Sequence, residues 1–148
     1  MDKRAKVLFL STGDASRGQM AEGLLRAASH DEVIAANAAI ESVDSDGLTE
    51  EVMREAGVDI TTQTPLGVKQ SLREHFGYVI TLFDSSRERS PVFPFTTNLL
   101  RWNLRDPRLA SGTPEQRKQL FRRVRDEINE HVREFVHQIG QAPSGRAA

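Results

Sequence analysis

Lys6-Val-Leu-Phe-Leu-Ser-Thr-Gly-Asp-Ala-Ser-Arg-Gly-Gln-Met-Ala-Glu22 passes from an apolar run through a short polar loop into a helical pattern, and this passage decides the fold. Lys6 to Leu10 suits a strand buried on both faces. Gln19 to His30 carries Met20, Leu24, Leu25 and Ala28 at helical spacing. A loop that feeds a helix N-terminus aims several free N–H groups and the positive end of the helix dipole at one spot. Arg17 adds a fixed charge there. Residues 11 to 17 therefore form a candidate oxyanion cradle, with Thr12, Gly13, Asp14, Ala15, Ser16 and Arg17 as the expected anion-binding residues.

Working outward, Val33 to Ser42 is compatible with helix or strand. Thr49, followed by Glu50 and Glu51, reads as the N-cap of a helix stopped by Gly57. Val68 to Phe76 predicts a short helix, Tyr78 to Leu82 a strand, and Leu99 to Trp102 an edge strand. Between the last two, Asp84 to Pro94 is rich in Ser, Arg and Pro and reads as surface loop. Thr113-Pro114-Glu115 has the cap, proline and early acid of a helix start. Leu120, Phe121, Val124, Ile128, Val132, Phe135, Val136 and Ile139 then form a long apolar stripe. Strands alternating with helices predict an α/β fold with an open, mainly parallel four-stranded sheet flanked by helices, doubly wound. In such sheets ligands bind beyond the carboxyl ends of the strands, where residues 11 to 17 would lie.

Composition sets outer bounds. The 148 residues suit one domain, expected over 1–140 with a disordered tail at 141–148, and a chain of this length buries roughly two-thirds of its unfolded surface. Twenty Lys plus Arg against 21 Asp plus Glu leave a net charge of -1, so no general attraction to nucleic acid or acidic membrane is expected. The first apolar run is too short for a signal-peptide core or membrane span, which predicts a soluble, cytoplasmic protein. The absence of cysteine excludes disulfides, thiolate metal sites and thiol redox chemistry on this chain. His30, His75, His131 and His137 lack metal-ligand spacing, and no metal or cofactor is expected. Arg122, Arg123 and Arg125 cluster on the last helix, where a solvated face explains them better than a nucleic-acid patch.

The stretch Val7 to Gly23 resembles the phosphate loop of the low-molecular-weight protein tyrosine phosphatase superfamily, above all its thioredoxin-coupled arsenate reductases. Val58 to Thr64, Val79 to Leu82, Trp102-Asn-Leu-Arg-Asp-Pro107 and Phe121 to Ile128 match further family segments in the family's order. The resemblance favours a strand for Val33 to Ser42, parallel to the first. It also implies a nucleophile at position 11, an anion-binding Arg17 and a general acid at Asp106.

The departures from the family are chemical. The family attacks through a thiolate, whereas Ser11 ionises far less readily and the loop supplies no histidine as base. Asp14 stands where the family usually has Asn, Ser16 where the reductases have cysteine or a small residue, and Gly18 where a serine would brace the loop. Phe83 and Ser90 stand where the reductases carry two further cysteines. Serines at 11, 16 and 90 are what isosteric thiol replacement would leave; Phe83 is not, since a ring changes volume, and it favours natural loss.

Three readings follow. The first is a non-catalytic protein binding phosphate, arsenate, sulfate or a phosphorylated ligand. The second is a slow phosphatase using Ser11, or water, with Asp106 as acid or base. The third is an interaction module with a relic loop. For Arg17 the alternative to anion contact is bracing of loop carbonyls or a carboxylate; for Asp106 it is capping a turn before Pro107.

Overall fold

The computed structural model describes residues 4–41, 47–89 and 98–141. In chain order the elements are β1 (Ala5–Ser11), α1 (Ser16–Ser29), β2 (Val33–Ala39), α2 (Leu48–Glu55), α3 (Val68–Arg73), β3 (Tyr78–Phe83), β4 (Asn98–Asn103), a 3-10 turn (Pro107–Leu109) and α4 (Pro114–Gln141). The four strands form one parallel sheet in the order β2-β1-β3-β4. The expected α/β fold is therefore present, with Val33 to Ala39 as a strand paired in parallel to β1.

Strand β1 explains why its apolar run is continuous. Val7 and Phe9 pack into a large core with Met20 and Leu25 of α1, Val52 and Met53 of α2, and the stripe of α4, while Leu8 and Leu10 pack on the other face with Phe76 and Val79. Alternate side chains thus enter opposite cores, and both faces need apolar residues. The α4 stripe does as expected: Leu120, Phe121, Val124, Ile128, Val132 and Phe135 are buried, with Val136 and Ile139 packed against them. On the outer strand, Trp102 stacks on His131 of α4, with ring centroids 4.8 Å apart. Arg122 and Arg125 are engaged in ion pairs with Glu55, Glu115 and Asp126. Among the described residues no helix is long and apolar enough to cross a membrane.

Several boundaries differ from expectation. Helix α1 begins at Ser16, so Ser16, Arg17 and Gly18 belong to its first turn. Thr49 is not the cap of α2: Gly47, at φ 84°, occupies that place and Thr49 is buried in the first turn. Helix α3 ends at Arg73, which frees Phe76 to enter the second core. Gly140 and Gln141, expected to belong to a tail, are helical, because α4 continues through both. A glycine in the last turn costs only about 1 kcal/mol and does not stop a helix already anchored by its stripe. Ser42, Ser90, residues 91 to 94 of the expected loop and residues 142 to 148 of the expected tail lie outside the described residues.

The chain leaves β1 through α1 to β2 on one side, then returns past β1 to β3 on the other. The switch point of the sheet is thus between β1 and β3. Ser11 ends β1 there, in register with Ala39 of β2 and Leu82 of β3. Residues 12 to 15 lie outside the carboxyl ends of the strands, the position such folds use for ligands.

Candidate functional site

Ser11 is fully buried, and its Oγ accepts a 2.9 Å hydrogen bond from the Gly18 N–H. The Ser11 hydroxyl therefore satisfies one N–H of the first turn of α1. Gly18 fits this arrangement closely: a Cβ there would lie 2.9 Å from Ser11 Oγ and 3.2 Å from Asn37 Cβ. The Thr12 N–H donates to the Leu82 carbonyl at 3.1 Å, tying the loop to β3.

Asp14 does not point outward. Its carboxylate is buried and accepts from the Ser16 N–H at 3.2 Å and the Ser16 hydroxyl at 3.0 Å, an Asx turn at the start of α1. Burial pushes its pKa up, against the Ser16 bonds and the nearby Arg108 guanidinium. The first turn of α1 thus already faces a side-chain carboxyl of its own loop.

Arg17 is completely enclosed. Its Nη1 and Nη2 donate to Glu88 Oε1 and Oε2 at 2.8 and 3.1 Å, a two-pronged pair, and Nη1 also reaches the Leu104 carbonyl at 3.2 Å. Asp106 stands further off, at 3.8 Å from Nη2. The buried Nε of Arg17 has no hydrogen-bond partner. Glu88 also accepts from the Asp84 N–H at 2.6 Å. Burial would raise its pKa, but the bonds from Arg17 and the Asp84 N–H outweigh that and hold it below the usual carboxylate range.

Asp106 is buried and caps the 3-10 turn that follows it: its Oδ1 accepts from the Arg108 N–H at 3.0 Å, and Oδ2 from Arg108 Nη2 at 2.8 Å. Burial opposes its charge, yet Arg108 and Arg17 keep its pKa below the ordinary value. A general acid must arrive protonated; Asp106 is held as a carboxylate. Arg108 joins Asp106 to Glu41, 2.8 Å from Nη2, and approaches Asp14 at 3.6 Å.

The structure thus brings residues 11 to 17 and Asp106 to one place and surrounds them with groups that sequence reasoning did not single out: Glu41, Asp84, Glu88, Leu104 and Arg108. Five carboxylates (Asp14, Glu41, Asp84, Glu88 and Asp106) stand around two guanidiniums (Arg17 and Arg108). Gly13 makes the approach of both arginines possible, since a Cβ there would lie 2.8 Å from the Nη2 of each. The only local signals for the missed residues were an acid set between Arg87 and Arg89, and an arginine directly after Asp106-Pro107.

With this geometry in hand, the known relatives can be compared. The family model described as low molecular weight phosphotyrosine protein phosphatase matches residues 6–144. An arsenate reductase of Bacillus licheniformis is 36% identical over 130 residues, covering 88% of this chain and 94% of its own. A second, from Halalkalibacterium halodurans, is 35% identical over 136 residues, covering 92% and 97%. A solved arsenate reductase in the phosphate binding state superposes with a TM-score of 0.75 at 25% identity, covering 91% of this chain and 98% of that one. The strand-loop-helix passage, the parallel sheet and these matches agree, and the chain belongs to the low-molecular-weight phosphotyrosine protein phosphatase family as a homologue of its arsenate reductases that contains no cysteine.

Proposed function

We propose that this chain is a non-catalytic member of its family that binds an oxyanion or a phosphorylated ligand at residues 12 to 17 and releases it unchanged. The observation that carries the reading is Arg17: it is wholly enclosed, keeps its fork at the mouth of the loop, and already grips two oxygens of a carboxylate. A guanidinium that holds two oxygens in plane suits phosphate, arsenate or sulfate by the same geometry. The phosphate binding state of a solved arsenate reductase supports the ligand class.

Turnover is a separate matter. The chain has no thiol, the Ser11 hydroxyl is occupied by the Gly18 N–H, and Asp106 is held ionised. The missing thiol removes the family's nucleophile and an ionised Asp106 speaks against its acid role, while leaving it able to act as a base on water. Calorimetry with inorganic phosphate, arsenate and sulfate tests the reading: weak binding should disappear in Arg17→Ala. Incubation with p-nitrophenyl phosphate, or with arsenate and thioredoxin, should give no rate above buffer. A robust rate abolished by Arg17→Ala would overturn the reading.

One observation favours the relic-loop alternative, namely that carboxyl groups of the protein itself already face both the first turn of α1 and Arg17. Absence of any binding heat, in the wild type and after removal of the charge on Glu88, would select it.

A further inference from the structure

We infer that Glu88 is a built-in ligand of this site, whose carboxylate stands on Arg17 where an external oxyanion would bind, so that anion binding is an exchange in which Glu88 leaves. The inference rests on the oxyanion-binding reading above and names what regulates it.

The surroundings of the Glu88 carboxylate resemble those of a bound anion. It collects both prongs of Arg17 at 2.8 and 3.1 Å and the main-chain N–H of Asp84 at 2.6 Å. These are a guanidinium fork and a backbone amide, donors that oxyanions recruit. Arg17, which supplies the fork, belongs to the loop and helix end read as the cradle.

The two partners differ in freedom. The Arg17 side chain is 0% exposed, whereas that of Glu88 is 17% exposed. Glu88 therefore stands on the solvent side of the pair and can rotate outward. Its main chain is held by the Asp84 carbonyl, which accepts from the Glu88 N–H at 2.7 Å, so departure of the side chain need not move the backbone. Arg17 would stay aimed, because the Leu104 carbonyl accepts from Nη1 at 3.2 Å independently of Glu88. Its unpartnered Nε supplies one more donor than Glu88 uses.

Charge favours exchange over addition. An oxyanion entering beside an undisturbed Glu88 would add negative charge to a group in which Asp14, Asp84, Glu88 and Asp106 already outnumber Arg17 and Arg108. Release of Glu88 to water removes one of those charges and vacates the better half of the Arg17 fork at once. Glu88 then decides both how tightly and how selectively the loop accepts anions.

The test compares wild type, Glu88→Gln and Arg17→Ala by calorimetry with inorganic phosphate and sulfate, at ionic strength matched with chloride. Glu88→Gln should bind on the order of tenfold more tightly than wild type, because a neutral amide competes less well than a carboxylate for a buried guanidinium. Sulfate should also raise the Tm of Glu88→Gln more than that of wild type, and should leave Arg17→Ala unmoved. If wild type binds and Glu88→Gln binds equally or more weakly, the exchange is refuted while the oxyanion reading stands. If neither binds, both fall. Should Glu88→Gln not fold, a crystal structure of the wild type grown in sulfate decides: a tetrahedral ion on Arg17 with Glu88 turned out supports exchange, and an intact Arg17–Glu88 pair refutes it.

Discussion

Arg17 shows how a side chain can be singled out from sequence while its partner is not. Its place in the passage from β1 to α1 was legible, because a polar loop joins an apolar run to a helical pattern there. Its partner was not, because Glu88 lies 71 residues away and nothing local marks it. Enclosing a guanidinium is costly unless it is paired, so the fold had to supply a carboxylate. Removing only the cation should be severe: Arg17→Met leaves Glu88 and buried Asp106 without it, and a loss of about 3 kcal/mol is expected in urea denaturation. The contact of Ser11 and Gly18 gives a second prediction. Gly18→Ala gains helix propensity of about 1 kcal/mol, but its methyl would sit 2.9 Å from Ser11 Oγ and 3.2 Å from Asn37 Cβ. Overpacking of roughly 1–3 kcal/mol should win, giving net destabilisation that Ser11→Ala partly relieves.

At the scale of elements, periodicity carried the reading and caps limited it. The α4 stripe was plain because eight apolar residues recur at spacings that only a helix brings to one face. Its start was equally plain, and the structure adds a reciprocal pair: the Gln116 N–H donates to Thr113 Oγ1 at 3.1 Å, and the Thr113 N–H donates to Gln116 Oε1 at 2.8 Å. Thr113→Ala should therefore cost about 1 kcal/mol, seen as a lower urea midpoint with unchanged slope. The start of α2 was misread because Thr49 has the composition of a cap, whereas the backbone turns at Gly47, whose positive φ leaves no sequence mark beyond the glycine itself. Helix α1 was read three residues short for a related reason. Ser16 and Arg17 look like loop residues, and only the Asp14 carboxylate at the Ser16 N–H shows where the first turn closes.

Across the whole molecule, charge ties α2 to α4 and makes stability fall in acid. Glu55 of α2 receives hydrogen bonds from Arg122 and Arg125 of α4, and its pKa is lowered from 4.5 to about 2 by the Arg122 bond first of all. A carboxyl depressed in the folded state contributes stability that is present above its unfolded pKa and lost as pH falls through the folded one. Glu88, Asp84 and Asp106 act in the same direction, whereas Asp14 and Glu22, whose pKa values are raised, gain from protonation. The urea midpoint should thus decline between pH 4.5 and about 2, and Glu55→Gln should flatten part of that decline. The sheet order also sets where the site lies, at the switch between β1 and β3, so the location of the candidate site followed from topology while its charge balance did not. Finally, the chain contains one tryptophan, Trp102, stacked on His131 and only two residues before the carbonyl that steadies Arg17. Its emission is an intrinsic optical gauge of the β4 and α4 seam, so the parting of that strand from that helix can be followed without attaching a dye.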